Sequence, residues 1–187
     1  MFGLTLVDHL RMTFGHVIYT HRVHTQLASR YARWHRWSLG AEALLILTAA
    51  LSSIALVSTM NGPLAMVTAA TASAAACVLA VRLMLDLEAR ANAHRTCGAK
   101  LWHIREQFRG VLADLQDGHL TLDAARAERD LLMARLQAVY DHAPPADRKL
   151  YEAARSASPN MHEDAILDQE VDRFLPASLQ KGGQSAA

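Results

Sequence analysis

The chain has 187 residues, of which 51% are hydrophobic and 20% are charged, and its formal net charge is +1 at pH 7. This length allows one domain with a buried core or a membrane anchor, and a charge near zero gives no general case for nucleic-acid binding. The charges are unevenly placed, because residues 43–81 contain no Asp, Glu, Lys, Arg or His. The two cysteines, Cys77 and Cys97, do not make a disulfide framework, and a reducing cytosolic setting for Cys97 is the simplest interpretation.

Residues 1–37 are predicted to form an N-terminal amphipathic helical segment. Apolar side chains recur there at helical spacing, at Val7, Leu10, Phe14, Val17, Ile18, Val23, Leu27, Tyr31 and Trp34. This pattern predicts one or two helices that either dock on the cytosolic part or lie on the bilayer surface, and the sequence does not choose between these. A signal peptide is not expected, because no basic region opens the chain and Asp8, His9 and Arg11 interrupt the apolar stretch.

Residues 38–87 are predicted to form a transmembrane hairpin. The triplet Asn61-Gly62-Pro63 favours a turn and divides the uncharged run into residues 43–60 and 64–81, eighteen residues each. At a rise of 1.5 Å per residue each half is about 27 Å long, close to the ~30 Å of a bilayer's hydrocarbon core. The alternative is a buried hairpin in a soluble bundle, but neither half has the polar stripe of a soluble surface helix.

The residues that flank this run predict its orientation. Basic side chains stand on both flanks, at Arg30, Arg33, Arg36, Arg82, Arg90, Arg95 and Lys100. By the positive-inside rule both termini are then cytoplasmic, and Trp34 and Trp37 are candidate interfacial aromatics. Glu42 and Arg82 each lie twenty residues from Gly62. They are predicted to reach the same depth, either as an ion pair at the cytoplasmic boundary or as two side chains that snorkel separately.

Small residues recur at fourfold spacing along the second span. One row consists of Ala65, Ala69, Ser73 and Cys77, and a second row consists of Ala72, Ala76 and Ala80. Rows of this kind let helix backbones approach closely, so one row could contact the first span and the other a second copy of the chain. The alternative is that these residues only pack the hairpin. Because two spans cannot enclose a channel, any pore requires a homo-oligomer.

Residues 88–157 are predicted to form a cytoplasmic helical region. A long helix leaves the membrane and ends near Gly118, Thr121 caps a second helix, and the Ala-Pro-Pro sequence at 143–145 ends it. A short helix around Leu150, Tyr151 and Ala154 follows. Residues 158–187 form a polar and partly disordered tail, in which residues 165–176 could make one further short helix. The predicted fold is therefore all-α: a two-helix transmembrane hairpin with an amphipathic N-terminal helix and a C-terminal cytoplasmic helical bundle.

Catalytic and metal-binding patterns are not found in the sequence. His21 and His24 are three residues apart, as are His94 and Cys97, but neither pair has a second ligand pair at zinc-like spacing. Glycine-rich phosphate loops, nucleophile elbows and paired acids for acid–base catalysis are also missing. The sequence predicts neither an enzyme nor a metal or cofactor site.

The order of the segments carries a family resemblance. "HTQLASRYARWHRWSLG" leads into the first span with "ALSSIALVS", and "LEARANAHRTCGAKLWHIREQFRGVL" and "LLMARLQAVYDHAPPADRKLYEAAR" follow the second. The most telling pieces are His94-x-x-x-Gly98-x-x-Leu101 and Tyr140…Ala143-Pro144…Tyr151. Over about residues 24–155 the chain resembles the SLATT family, the two-transmembrane effectors associated with nucleotide-generating and nucleotide-sensing domains in bacterial conflict systems.

The resemblance implies a membrane effector of antiviral or conflict defence. Such effectors are thought to assemble or open on a second-messenger or sensor signal, permeabilise the inner membrane and stop growth. The resemblance implies no catalytic residues. A sensor domain is not recognisable in the chain, so either the cytoplasmic helices take the signal or a separately encoded sensor or nucleotide-signalling protein does. The alternatives are a non-conducting membrane anchor or scaffold whose cytoplasmic helices recruit a partner, and a soluble helical adaptor.

Overall fold

The computed structural model describes residues 5–59, 62–146 and 171–180. These residues form helices α1 (Leu6–Thr59), α2 (Gly62–Leu85), α3 (Leu87–Gln116) and α4 (Leu122–Asp141) and a 3-10 helix at Ala177–Leu179. No strand occurs in the described ranges, which confirms the predicted all-α fold. The short helix predicted around Leu150, the beginning of the one predicted at 165–176 and the last residues of the tail lie outside the described residues.

Helix α1 runs for 54 residues and joins the amphipathic segment to the first span without a break. Its start is fixed by a reciprocal cap, in which the backbone N–H of Asp8 donates to Thr5 Oγ1 (3.1 Å) and that of Thr5 donates to Asp8 Oδ2 (3.3 Å). No proline interrupts the sequence between these residues and Thr59, so nothing in the backbone stops the helix.

Helix α2 begins at Gly62, and Pro63 falls in its first turn, where the missing N–H has no intrahelical partner to lose. Asp86 separates α2 from α3, with a positive φ of 43°. Backbone bonds of 3.1 Å from Asp86 N to Arg82 O and from Arg90 N to Asp86 O continue across it. The junction is therefore a one-residue irregularity, at a residue type that tolerates the left-handed region better than most.

The boundaries of the last two helices follow local chemistry. Gly118, with φ of 71°, stands just past the end of α3, and Thr121 Oγ1 accepts from the N–H of Ala124 at 3.3 Å to cap α4. Helix α4 ends at Asp141, ahead of the two prolines. The stop and the cap predicted at these positions are confirmed.

Contacts divide the chain into two compact units. One holds the residues up to Leu27 together with those from Ala93 onward, and the other is Ala28–Asn92. The first unit has a core drawn from α1, α3, α4 and the segment 171–175. It contains Leu10, Phe14, Val17, Ile18, Tyr19, Cys97, Leu101, Ile104, Phe108, Val111, Leu112, Leu132, Leu136, Val171 and Leu175. From Leu10 to Leu27 the apolar face of the N-terminal helix is thus covered by protein, whereas Val7 and Trp34 of the same predicted stripe remain exposed.

The segment 171–180 is tied to α1 in this unit. Arg11, which is only 2% exposed, pairs with the carboxylate of Asp172 and donates from Nη1 to the carbonyl of Leu179 at 2.6 Å. The guanidinium of Arg22 lies 4.6 Å from the centre of the Phe174 ring, within cation–π range. A buried arginine needs this set of partners, because an uncompensated buried charge is strongly destabilising.

Candidate functional site: the membrane hairpin and a buried histidine pair

The surface of the two apolar helices is uncovered by protein. In the most apolar eighteen-residue stretches of the chain's two long apolar helical regions, 0% and 6% of the residues are buried. Large apolar side chains are exposed along α1 and α2, at Leu44, Ile46, Leu47, Leu51, Ile54, Val57, Met66, Val67, Leu79, Val81, Leu83, Met84 and Leu85. A core helix of a soluble protein is mostly buried, so this surface fits lipid contact.

Inside the hairpin a pair of hydroxyl groups joins α1 to α2. Thr68 Oγ1 lies 2.8 Å from Ser52 Oγ, and Ser52 is 8% exposed. Each hydroxyl also lies near a carbonyl of its own helix, at 3.0 Å for Ser52 to Ala49 O and for Thr68 to Leu64 O. Polar atoms in an apolar phase need such partners. Because both hydroxyl groups have them, placing them inside the hairpin costs little free energy. Sequence reasoning missed this contact, although Ser and Thr are almost the only polar residues of the run.

At the open end of the hairpin the structure brings Glu42 and Arg82 together. Arg82 Nε lies 3.0 Å from Glu42 Oε2, and Glu42 is 9% exposed. The two atoms meet without hydrogen-bond geometry, and neither has a hydrogen bond to another described residue, so the attraction is electrostatic. In the same compact unit, His35 Nε2 lies 3.7 Å from Glu88 Oε2. The depth of this cluster in a bilayer stays a prediction.

The two predicted interfacial aromatics are both exposed. Trp34 is 53% and Trp37 is 78% exposed, and the guanidinium of Arg30 lies 5.4 Å from the Trp34 ring. An exposed tryptophan next to an arginine is favourable in the headgroup region of a membrane. Their position at the membrane surface remains a prediction.

The two rows of small residues on α2 face away from the hairpin interior. Ala65 is half-buried, whereas the other six candidates are exposed: Ala69, Ser73, Cys77, Ala72, Ala76 and Ala80. The less exposed side of α2 carries Thr68, Thr71, Ala75 and Val78 instead, and Thr68 contacts Ser52 of α1. The hairpin therefore packs along a third stripe, and both rows remain available to other molecules.

The family comparison agrees with this architecture. The family model of the SMODS and SLOG-associating 2TM effector domain, family 4, matches residues 6–170. The chain belongs to this SLATT family. No curated protein and no solved structure matched the chain. The family is a two-transmembrane effector domain associated with conflict systems, so the apolar helices of this SLATT protein are membrane spans in contact with lipid.

In the other compact unit of the SLATT protein, two histidines from distant parts of the chain meet. His24 Nδ1 of α1 and His94 Nδ1 of α3 lie 3.0 Å apart, and both residues are 2% exposed. At this distance one ring donates its N–H and the other accepts with a lone pair, so the contact needs at least one neutral imidazole. Gly98, one turn after His94, lies close to α1 at this point, since a Cβ there would be in ordinary van der Waals contact, 3.5 Å from Thr25 Oγ1 and 3.9 Å from His24 Cβ.

Burial and neighbouring charged groups lower the pKa of two histidines in this region, His24 and His21. Desolvation, then the charges of His94 and His21, lowers the pKa of His24 to about 4. The pKa of His21 is lowered by burial and then by Arg105 and Arg22. Burial also raises the pKa of the Cys97 thiol, which makes it a poor nucleophile at neutral pH. Among the described residues, no three His, Cys, Asp or Glu side chains come together to hold a metal ion.

We expect the unit that contains this pair to lose stability on mild acidification. The folded-state pKa of His24 lies below the usual 6.5, so its contribution is complete above about pH 6.5 and is lost towards pH 4. Thermal unfolding of purified protein should show a smaller fall in Tm between pH 7.5 and 4.5 for His24→Asn than for the wild type.

His119 provides the control, because its exposed side chain lies in the loop before α4. The His119→Asn variant should follow the wild-type pH dependence. An unchanged pH dependence in His24→Asn would show that the buried pair contributes nothing to acid sensitivity.

Proposed function

We propose that this SLATT protein is a membrane effector of bacterial antiviral or conflict defence that oligomerises to permeabilise the inner membrane. The observation that carries the proposal is the exposure of six small residues on α2, which the hairpin leaves uncovered. An apolar helix that keeps a small-residue surface free can pack closely against a second copy in lipid. The signal that starts assembly is nucleotide-linked or delivered by a separately encoded partner.

In this proposal residues 38–87 form the membrane hairpin, and residues 1–37 and 88–157 lie in the cytoplasm, followed by the tail 158–187. The placement of both termini in the cytoplasm rests on the arginines that flank the hairpin and on the lack of charge at its turn. Glu42 and Arg82, 3.0 Å apart, then lie at the cytoplasmic boundary, where a partly buried ion pair still has access to water. Trp34 and Trp37 lie near the same interface.

Permeabilisation needs assembly for a physical reason. A single hairpin carries no charged residue between positions 43 and 81, so it offers no ion a substitute for its hydration shell. Several hairpins could bring the hydroxyl groups of Ser73 and its neighbours on α2 around a shared water-filled path. Expression of the uncontrolled effector should then dissipate the membrane potential without any catalytic step.

One observation favours the second candidate function, a non-conducting anchor or scaffold. The unit outside the hairpin has an apolar core of its own, with Phe14, Leu101 and Phe108 at 0–1% exposure. A folded unit of this kind can present a fixed surface to a partner protein while the hairpin only tethers it.

Membrane conductance separates the two functions. Expression in bacteria without the cognate regulator should depolarise the cells within one generation, as read by a potential-sensitive dye, and purified protein should release ions from liposomes. An anchor should give no conductance with any candidate trigger. Loss of viability without depolarisation would contradict the permeabilisation proposal.

A further inference from the structure

A groove between α3 and α4 carries positive charge that the described part of the chain does not neutralise. The groove has a volume of about 750 Å³ and is open to solvent. Its α3 wall carries Thr96, Lys100, His103 and Gln107, and Arg135 and Val139 line the α4 wall. A volume of this size is within the range of sites that hold small molecules.

The cations of the groove differ from four arginines on the same helices that have acidic partners. On α3, Glu106 already pairs with Arg105 and Arg109, and on α4 Asp123 and Asp130 pair with the arginines at 126 and 129. No acidic residue among the described ones lines the groove. Lys100 and Arg135 make no ion pair or hydrogen bond with any described residue.

Neutral hydrogen-bonding groups stand beside these cations. Thr96, Lys100, His103 and Gln107 are spaced at intervals of three or four residues, so they share one face of α3. Gln107 can donate from its Nε2 amide group, whereas its buried Oε1, which has no hydrogen-bond partner among the described residues, is an acceptor and does not bind a phosphate oxygen. The groove therefore combines uncompensated charge with hydroxyl, imidazole and amide groups, which is the composition that recognises phosphate oxygens.

We propose that this groove binds a small anionic molecule that carries more than one phosphate group. Lys100 and Arg135 supply the charge from α3 and α4, and the volume of about 750 Å³ leaves room for more than one phosphate group. Thr96 and His103 supply further hydrogen bonds from α3. Bound across the groove, such a molecule would link α3 to α4 and restrain their separation.

The proposal that the groove binds such a molecule depends only on the residues of the groove. The further idea that this molecule is the activating signal rests on the proposed function. A phosphate group can come from a soluble polyphosphate or from a lipid headgroup, and both would meet the same side chains. Binding measured on purified protein, with no readout of conductance, keeps a failure of this proposal distinct from a failure of the permeabilisation proposal.

The test is calorimetric titration of the full-length protein, purified in a phosphate-free maltoside detergent. One arm uses inorganic tripolyphosphate and the other uses dihexanoyl phosphatidylglycerol below its micelle concentration. The variants are Lys100→Gln and Arg135→Gln. Arg126→Gln removes the same charge from α4 outside the groove and serves as the control. Helix content by circular dichroism verifies that each variant is folded, as expected for exposed side chains.

We expect saturable binding of tripolyphosphate, weakened about tenfold by Lys100→Gln and by Arg135→Gln, and unchanged in Arg126→Gln. The affinity should also fall with added salt. Saturable binding of the lipid analogue alone, which carries a single phosphate group, overturns the proposal of a ligand with more than one phosphate group. Absence of binding in both arms, or an equal loss in Arg126→Gln, overturns the proposal.

Discussion

Replacing Ala69 and Ser73 of α2 together with leucine is expected to abolish permeabilisation while the protein remains in the membrane at its normal level. Both residues are exposed on the side of α2 that turns away from the Ser52–Thr68 contact. Leucine there moves a facing helix outward and removes close backbone packing. A loss of about 1.4 kcal/mol in one helix–helix contact lowers an association constant about tenfold, and a ring repeats that loss at every interface.

The readouts for this pair are dye release from liposomes and depolarisation in cells, each normalised to the amount of protein in the membrane. The second row is tested in the same way with Ala72→Leu and Ala76→Leu. Ala70→Leu is the matched control, because it makes the same change at an exposed alanine that belongs to neither row. Undiminished dye release in both double variants would show that assembly does not use this surface.

Replacing Gly98 with leucine is expected to destabilise the unit outside the hairpin, whereas the same change at Gly110 is not. A Cβ at Gly98 would already be in van der Waals contact with Thr25 and His24, so the further carbon atoms of leucine must displace α1 from α3. Overpacking of this kind costs about 1–3 kcal/mol. Gly110 has nothing within 4 Å of its Cβ position, and its replacement gains about 0.5–1 kcal/mol of helix propensity.

Gly98→Ala separates the two effects, because a methyl group there makes only ordinary contacts of 3.5 and 3.9 Å. This variant should match or exceed wild-type stability. Thermal unfolding followed by circular dichroism should therefore rank the leucine variant at 98 below the wild type and the one at 110 at or above it. Equal melting temperatures for both leucine variants would contradict the close approach of α1 and α3 at His24.

Local chemistry explains why the boundaries of the helices could be predicted. Gly118 and Thr121 terminate and start helices through their own backbone and side-chain preferences, and the structure places both as expected. The two apolar helices could be predicted for the same reason, because the length and composition of the uncharged run are local properties of the sequence. The approach of Glu42 to Arg82 could be predicted because the two residues lie at equal sequence distances from Gly62, which divides the two apolar halves.

Contacts between residues far apart in the sequence could not be predicted from local sequence patterns. His24 and His94 are 70 residues apart in the sequence, and no local pattern around either histidine predicts a contact with the other. The structure shows that α1 and α3 also lie close together at Gly98. Helix α2 is apolar on every side, so no periodic pattern shows that Thr68 and Ala75, rather than the alanine rows, lie towards the hairpin interior. The groove at Lys100 and Arg135 depends on how α3 packs on α4.

Membrane flotation after a carbonate wash at pH 11 tests the central claim, that lipid surrounds both limbs of the hairpin. Washed membranes from expressing cells are layered under a density gradient and centrifuged, and the protein is located by immunoblot. The protein should float with the lipid fraction and require detergent for release. Recovery from the carbonate supernatant as a monodisperse species in detergent-free buffer would contradict the account.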